Sequence, residues 1–216
     1  MSVTYELFIG DKNISSWSLR PWLMLKAMRI PFSETVIRLR RPETKAEIRA
    51  HSPSGKVPAL KAGDLVIWDT LAIMEFLAER HPNKPVWPKD AEARAIARCI
   101  SAEMHSGYAA LRNECPMDFV KVYAFPDVST DVRTDVSRIV EIWKTTRARY
   151  GEGGEFLFGA FSAADAMYAP VVSRFVTYQP DLAAFGDDGT AARYRDVVMA
   201  MPEMQEWAED SRAEVA

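Results

Sequence analysis

Phe158-Gly159-Ala160-Phe161-Ser162-Ala163-Ala164-Asp165-Ala166-Met167-Tyr168-Ala169-Pro170 is the stretch on which the reading of this chain turns. Ser162 and Asp165 stand three apart ahead of an apolar run. At that spacing each side chain can accept from the other's backbone N–H and close a capping box. A helix is therefore expected to begin at residue 163. Phe161 precedes the cap and Ala166 lies four positions beyond it, so a hydrophobic staple is available to set the angle of chain entry. Both features anchor a helix and concern the fold; the chemistry has to lie elsewhere.

Around this stretch are 216 residues, 48% of them apolar, enough for one large domain or two modest ones with a real core. The net charge is −3, with acidic and basic residues interspersed, so neither nucleic acid nor an anionic membrane is an expected partner. The first ten residues lack a basic region followed by a long apolar run, and no window approaches membrane-spanning length. A cytoplasmic protein is expected. Cys99 and Cys115 fall in a segment that reads as helical and lack metal-ligand spacing, so neither a disulfide nor a metal site is anticipated.

Residues 5–9 form a short β-prone run, and 18–28 carry Leu19, Trp22, Leu23 and Leu25 at helical spacing. Residues 32–39 alternate as a strand, and 43–50 read as a short polar helix. Two further strands, 59–61 and 65–68, flank a Gly63-Asp64 turn. A helix over 70–80 places Leu71, Ile73, Met74 and Leu77 on its buried side. The prolines at 82, 85 and 88 then forbid a helix or a central strand. Beyond them the pattern is all helical, over 91–112, 129–150, 163–175, 191–199 and 203–213. The expected fold is thus α/β plus all-α: a domain over 1–81, a linker over 82–88 and a helical domain over 89–216.

Three motifs accompany the capping box: Ser15-Ser16-Trp17-Ser18-Leu19-Arg20-Pro21, Ser54-Gly55-Lys56-Val57-Pro58-Ala59-Leu60 and Trp68-Asp69-Thr70-Leu71-Ala72-Ile73. In this order and at these separations they resemble the cytosolic glutathione S-transferase superfamily, over essentially the whole chain. The resemblance implies a thioredoxin-like domain that binds glutathione as cosubstrate, a helical-bundle domain that forms the electrophile pocket, and a homodimer. It implies a cis Val57-Pro58 bond. Sequence alone leaves that isomer open, since X-Pro bonds prefer trans by only ~0.5–1 kcal/mol. It also assigns the Val57 backbone to the cysteinyl unit of glutathione and Lys56 to the glycyl carboxylate. Asp69-Thr70 stands where relatives usually have Glu-Ser or Gln-Ser and is assigned to the γ-glutamyl end. Thr70 keeps the hydroxyl at a helix N-terminus, an anion-binding position. Asp69 is shorter than the usual residue and also suits a helix N-cap.

An unperturbed thiol titrates near ~8.5, and depressing it by roughly two units requires about 2.7 kcal/mol of preference for the anion. A hydrogen bond to a charged group supplies roughly 1.5–3 kcal/mol and a helix N-terminus about 0.3–1 kcal/mol. One serine at the start of the first helix therefore suffices, without a metal or a histidine base. The segment resembles both the Ser-Trp-x-x-Arg element of zeta-like members and the Ser-Leu-x-Pro run of beta-class members. Compared without gaps, the activating serine of the first falls on Asn13 and the cysteine of the second on Trp17. Ser16, then Ser15, is expected at the thiol, with Asn13 the remaining alternative, while Ser18 is expected to cap the helix.

Met104, His105, Tyr108, Ala109 and Arg112 share one stripe of the helix expected over 91–112. The first and fourth are assigned to packing. His105, Tyr108 and Arg112 are assigned to a polar or anionic acceptor, with Trp17 in the pocket wall and Arg112 able to grip a carboxylate bidentately. Ile96, Ile100, Ala109 and Leu111 give the same helix more apolar surface than one buried stripe requires, which favours a symmetric dimer. The activity implied is attack of glutathione thiolate on a small electrophile. The alternatives are a glutathione-dependent cis-trans isomerase of the maleylacetoacetate type, or a non-catalytic binding protein of the same fold.

Overall fold

The computed structural model describes residues 4–216. Strand β1 (Tyr5–Gly10) is followed by helix α1 (Ser16–Ala27), β2 (Phe32–Ile37) and α2 (Thr44–His51). Strands β3 (Ala59–Ala62) and β4 (Leu65–Trp68) and helix α3 (Thr70–Arg80) complete this half. The sheet order is β2-β1-β3-β4. β1 runs parallel to β2, with Tyr5 opposite Phe32, and antiparallel to β3, with Leu7 opposite Leu60. β3 and β4 form a hairpin around Gly63, whose φ of +63° suits glycine. Side chains alternate across β1, so Leu7 and Ile9 join α1 and α3 in the main core, whereas Phe8 packs with Ile48 of α2 on the opposite face.

The remainder is helical: α4 (Ala91–Ser106), α5 (Ala109–Glu114), α6 (Thr130–Tyr150), α7 (Ala163–Thr177), α8 (Thr190–Met199) and α9 (Pro202–Val215), with a 3-10 turn over Leu182–Phe185. Helix α7 is buried along almost its whole length and lies at the centre, against α1, α4 and α8. Trp143 of α6 packs on Tyr168, Phe175 and Tyr194. Among the described residues no helix is long and apolar enough to cross a membrane. None of their His, Cys, Asp and Glu side chains gather in threes to hold a metal ion.

The start of α7 is built as its sequence anticipates. The buried Asp165 carboxylate accepts from the Ser162 N–H at 2.8 Å and its hydroxyl at 3.1 Å, and also from Leu157 N–H and Tyr194 O–H at 3.0 Å each. Burial pushes this carboxyl up to about 6, against the pull of the four donors. Asp165 thus ties the irregular segment before α7, the helix itself and α8 to a single side chain.

Three expectations are corrected here. The helix expected over 91–112 is broken: Gly107 is extended and Tyr108 left-handed, with φ +58°. Its single stripe therefore does not exist, and Cys115 lies just past α5 as a buried free cysteine. Ile100 and Leu111 are consumed by the core of the single chain and Ile96 is half-buried, so they form no spare apolar face. Ser18 does not cap α1, whose N-cap is Ser15; it lies in the first turn and accepts from the Gly10 N–H at 3.0 Å.

Candidate active site

A cavity of about 420 Å³ opens where the loop before β3, the end of β4 and the first turns of α1 and α3 approach the last turn of α4. One wall is Ser54, Lys56, Val57 and Pro58, and the Val57-Pro58 bond is cis. Among the described residues neither the amide nor the carbonyl of Val57 carries a hydrogen bond, so both are free to pair with an added extended chain. The exposed Lys56 ammonium stands at the rim with no ion-pair partner among those residues.

The opposite wall is Trp68, Asp69 and Thr70. Asp69 is left-handed, with φ +71°, and its Oδ1 accepts from the Leu71 N–H at 2.9 Å, capping α3. Thr70, the first residue of α3, is buried, and its hydroxyl has no partner among the described residues. An orphan hydroxyl beside the free amides of a helix N-terminus is a receptor for a carboxylate.

The far half of the chain contributes His105. Its Nε2 lies 2.7 Å from Asp69 Oδ2, and its ring meets Trp17 edge-on at 5.0 Å. Behind Trp17 sits Arg20, fully buried, with its guanidinium 4.1 Å from the ring centroid. Arg20 donates to Met167 O at 2.9 Å, Ser16 O at 3.1 Å and Met104 Sδ at 2.9 Å. Burial, then the nearby Arg174 and Arg112, push its pKa well below the usual guanidinium range, with Asp69 opposing.

The serines lie just behind this wall, outside the residues that line the cavity. Ser15 Oγ is 2.7 Å from Ser18 Oγ, and both are buried. Gly10 permits that approach, since a Cβ there would stand 3.0 Å from Ser15 Oγ and 2.6 Å from Leu39 Cδ1. Ser16, in the first turn of α1 and 8% exposed, has no hydrogen-bond partner for its hydroxyl among the described residues. The Asn13 side chain is committed elsewhere, accepting from the Phe119 N–H at 2.7 Å.

The structure gathers Trp17, Lys56, Val57, Asp69, Thr70 and His105 around one space and leaves two expected residues apart. Tyr108 is turned away by the break after α4: it is buried and donates to Glu103 at 3.0 Å. Arg112 stays half-buried behind Trp17, 5.7 Å from that ring, and burial lowers its pKa. Ser54, Pro58 and Trp68 were not anticipated as lining, although all three sit inside the motifs quoted above.

A further cluster escaped the sequence altogether. Lys12, in the loop before α1, is buried with its Nζ 2.6 Å from both Glu34 of β2 and Asp210 of α9. It lies over the rings of Trp22 and Trp207, and Trp207 Nε1 donates to its carbonyl at 2.8 Å. Burial pulls the ammonium down, but the two carboxylates outweigh it and hold its pKa above the ordinary value. The loop that delivers Ser15 and Ser16 is thereby clamped to α9.

Comparison with known proteins shows the family and the fold. The model of the glutathione S-transferase N-terminal domain matches residues 14–80, and that of the C-terminal domain matches residues 95–210. Maleylacetoacetate isomerase of Mus musculus is 30% identical over 187 residues, 85% of this chain and 82% of that one. A probable maleylacetoacetate isomerase of Caenorhabditis elegans is 38% identical over 102 residues, 47% of each chain. Among solved structures, a glutathione transferase homolog from Burkholderia with bound glutathione superposes with a TM-score of 0.72 at 20% identity, covering 97% of this chain and 98% of that one.

Proposed function

Because the chain belongs to the glutathione S-transferase superfamily, we propose that the cavity between Val57 and Thr70 holds glutathione and presents its thiolate to a small electrophile. The protein is a glutathione transferase. The observation that carries the site assignment is the pairing of a free Val57 backbone with an orphan Thr70 hydroxyl across one cavity. The first suits the cysteinyl backbone as an added strand, the second the γ-glutamyl carboxylate, and Lys56 the glycyl carboxylate. Ser16 is the proposed thiol contact, since its hydroxyl is uncommitted whereas those of Ser15 and Ser18 bond each other. No metal takes part in this reading.

Residues 1–81 are assigned to glutathione binding, 82–88 to the linker and 89–216 to the acceptor side. His105 of that side and Trp17 of the first domain face the acceptor, and Arg112 lies behind Trp17. A homodimer acting in the cytoplasm completes the proposal. Its dimer is supported by Leu65 and Trp68, large apolar residues left exposed on the edge strand β4. The relatives named as isomerases favour a second use of the same site, in which the thiolate adds to a conjugated acceptor, a bond rotates and the thiolate leaves. Glutathione-affinity chromatography, with elution by free glutathione, tests the site, and turnover of a panel of electrophiles tests the chemistry. Protein that passes through the column and turns over nothing would refute both.

A further inference from the structure

Lys12 lies in the loop between β1 and α1, and its amide, carbonyl and ammonium are all bound. Glu214 Oε2 accepts from its N–H at 2.7 Å, Trp207 Nε1 donates to its carbonyl at 2.8 Å, and its Nζ stands 2.6 Å from Asp210. All three partners belong to α9, at the other end of the chain, and Glu34 of β2 is the second partner of the ammonium. The following residues pass the restraint on. Asp11 O accepts from the Ile14 and Ser15 amides at 3.2 and 2.9 Å, and Ile14 O accepts from the Ser16 N–H at 3.1 Å. One hydrogen-bonded turn thus leads from the grip of α9 to Ser15 and Ser16. None of the α9 residues lines the cavity, so any part they have in its chemistry runs through that turn.

Burying an ammonium costs stability that a well-packed apolar side chain does not. What the paired ammonium and the two backbone bonds provide is a fixed position for the loop. A hydroxyl stabilises a thiolate only within hydrogen-bond reach and alignment, and a remote change that misplaces a reacting group by ~1 Å can cost about 100-fold. We propose that α9 is a positioning element of the active site: by holding Lys12, Glu214, Trp207 and Asp210 place the turn that carries Ser15 and Ser16 and so set the ionisation of bound glutathione. The proposal rests on the transferase reading above. Glu214 separates positioning from charge. Its removal takes away an anion and leaves Arg38, 3.6 Å from it, less neutralised, so charge alone would favour the thiolate. Lost positioning has the opposite sign, because a displaced hydroxyl stabilises the thiolate less.

Glu214→Ala leaves the Lys12 N–H without its acceptor, and Glu214→Gln keeps an acceptor there without the charge. Trp207→Phe keeps a ring and drops the bond to the Lys12 carbonyl. Each is made in the full chain, and the ionisable groups about the cavity, Lys56, Asp69, His105 and Arg20, stay in place throughout. Ultraviolet titration of the glutathione complex reads the thiolate. Calorimetric affinity for S-methylglutathione, which has no thiol to ionise, reports the folded site. Glu214→Ala and Trp207→Phe are expected to raise the midpoint of thiolate formation by about one unit, a roughly tenfold loss of thiolate below it, while S-methylglutathione binds close to the parent value. Glu214→Gln is expected to titrate with the parent. A midpoint unmoved in both of the first two variants, with S-methylglutathione still bound, would overturn the proposal and leave α9 a matter of stability alone. A lowered midpoint in Glu214→Ala, the sign of lost charge, would overturn it as well, and so would loss of S-methylglutathione binding in both, since α9 would then hold the whole site and not the serines. A parent chain that binds neither glutathione nor its S-methyl form, or whose bound glutathione ionises no lower than free glutathione, would instead overturn the transferase reading, and this proposal with it.

Discussion

Replacing Asp165 by alanine removes the acceptor for four buried donors at once, and the cost can be worked out donor by donor. The amides of Leu157 and Ser162 cannot rotate toward other partners. Left unsatisfied, each costs about 1–3 kcal/mol. The hydroxyls of Ser162 and Tyr194 can turn, so each forfeits only the net worth of a hydrogen bond, about 0.5–1.5 kcal/mol. The sum is about 6 kcal/mol at mid-range. Against it stands relief of the carboxylate itself, which burial holds at about 6 from an ordinary 3.8; ionising it at neutral pH costs about 3 kcal/mol. The net expectation for Asp165→Ala is therefore a loss of about 3 kcal/mol, or about 6–12 °C in Tm for a chain of this size. Urea unfolding at pH 7 reads the first quantity and a thermal scan the second. Because Asp165 does not line the cavity, kcat/KM measured well below the transition should stay close to the parent value. A variant that melts with the parent, or one that is folded yet inactive, would refute this reasoning.

Four further expectations concern the same groups. Folding raises the Asp165 pKa, so its contribution is full below about pH 4 and is lost as pH climbs through about 6. The unfolding free energy of the parent relative to Asp165→Asn should fall by up to about 3 kcal/mol between those limits and neutrality, and a flat or rising difference would contradict the sign. Ser16→Ala should raise the pH at which bound thiolate appears in ultraviolet absorbance by roughly one to two units while leaving glutathione affinity nearly intact; an effect confined to Ser15→Ala would move the thiol contact by one residue. Thr70→Val removes a hydroxyl that has no partner among the described residues, so stability should hardly change while KM for glutathione rises about five- to thirtyfold; an unaltered KM would place the carboxylate elsewhere. Lys12→Met should cost about 1–3 kcal/mol in urea unfolding, below the value for fully buried pairs because Glu34 and Asp210 are partly exposed, and a neutral result would show that the clamp to α9 carries no stability.

What the sequence discloses here is what local chemistry determines. The α7 cap, the Gly63 hairpin and the bounds of α3 are each set by a few consecutive residues, and each appears where its pattern places it. The break at Tyr108 is different in kind. A tyrosine in the left-handed region has no local signal, because the conformation is held by burial of its ring and its bond to Glu103. That single residue dissolves the helical stripe on which the acceptor assignment relied and separates Tyr108 from His105. The apolar surplus on the same segment misled for a related reason: Ile100 and Leu111 look like an interface only until the fold brings other helices of the same chain against them. The candidate site was legible as a set of residues and illegible as a set of contacts. Asp69 and His105 could each be named, but their bond spans 36 positions. Lys12 could not be named at all, since its partners lie in β2 and in α9, 198 positions away at Asp210. Arg20 was visible in its motif, yet nothing in that motif says that it is buried without a carboxylate to pair with, backing the ring that steadies His105. Local motifs therefore name candidate side chains, and the long-range packing of α4 and α9 on the first half decides which of them meet.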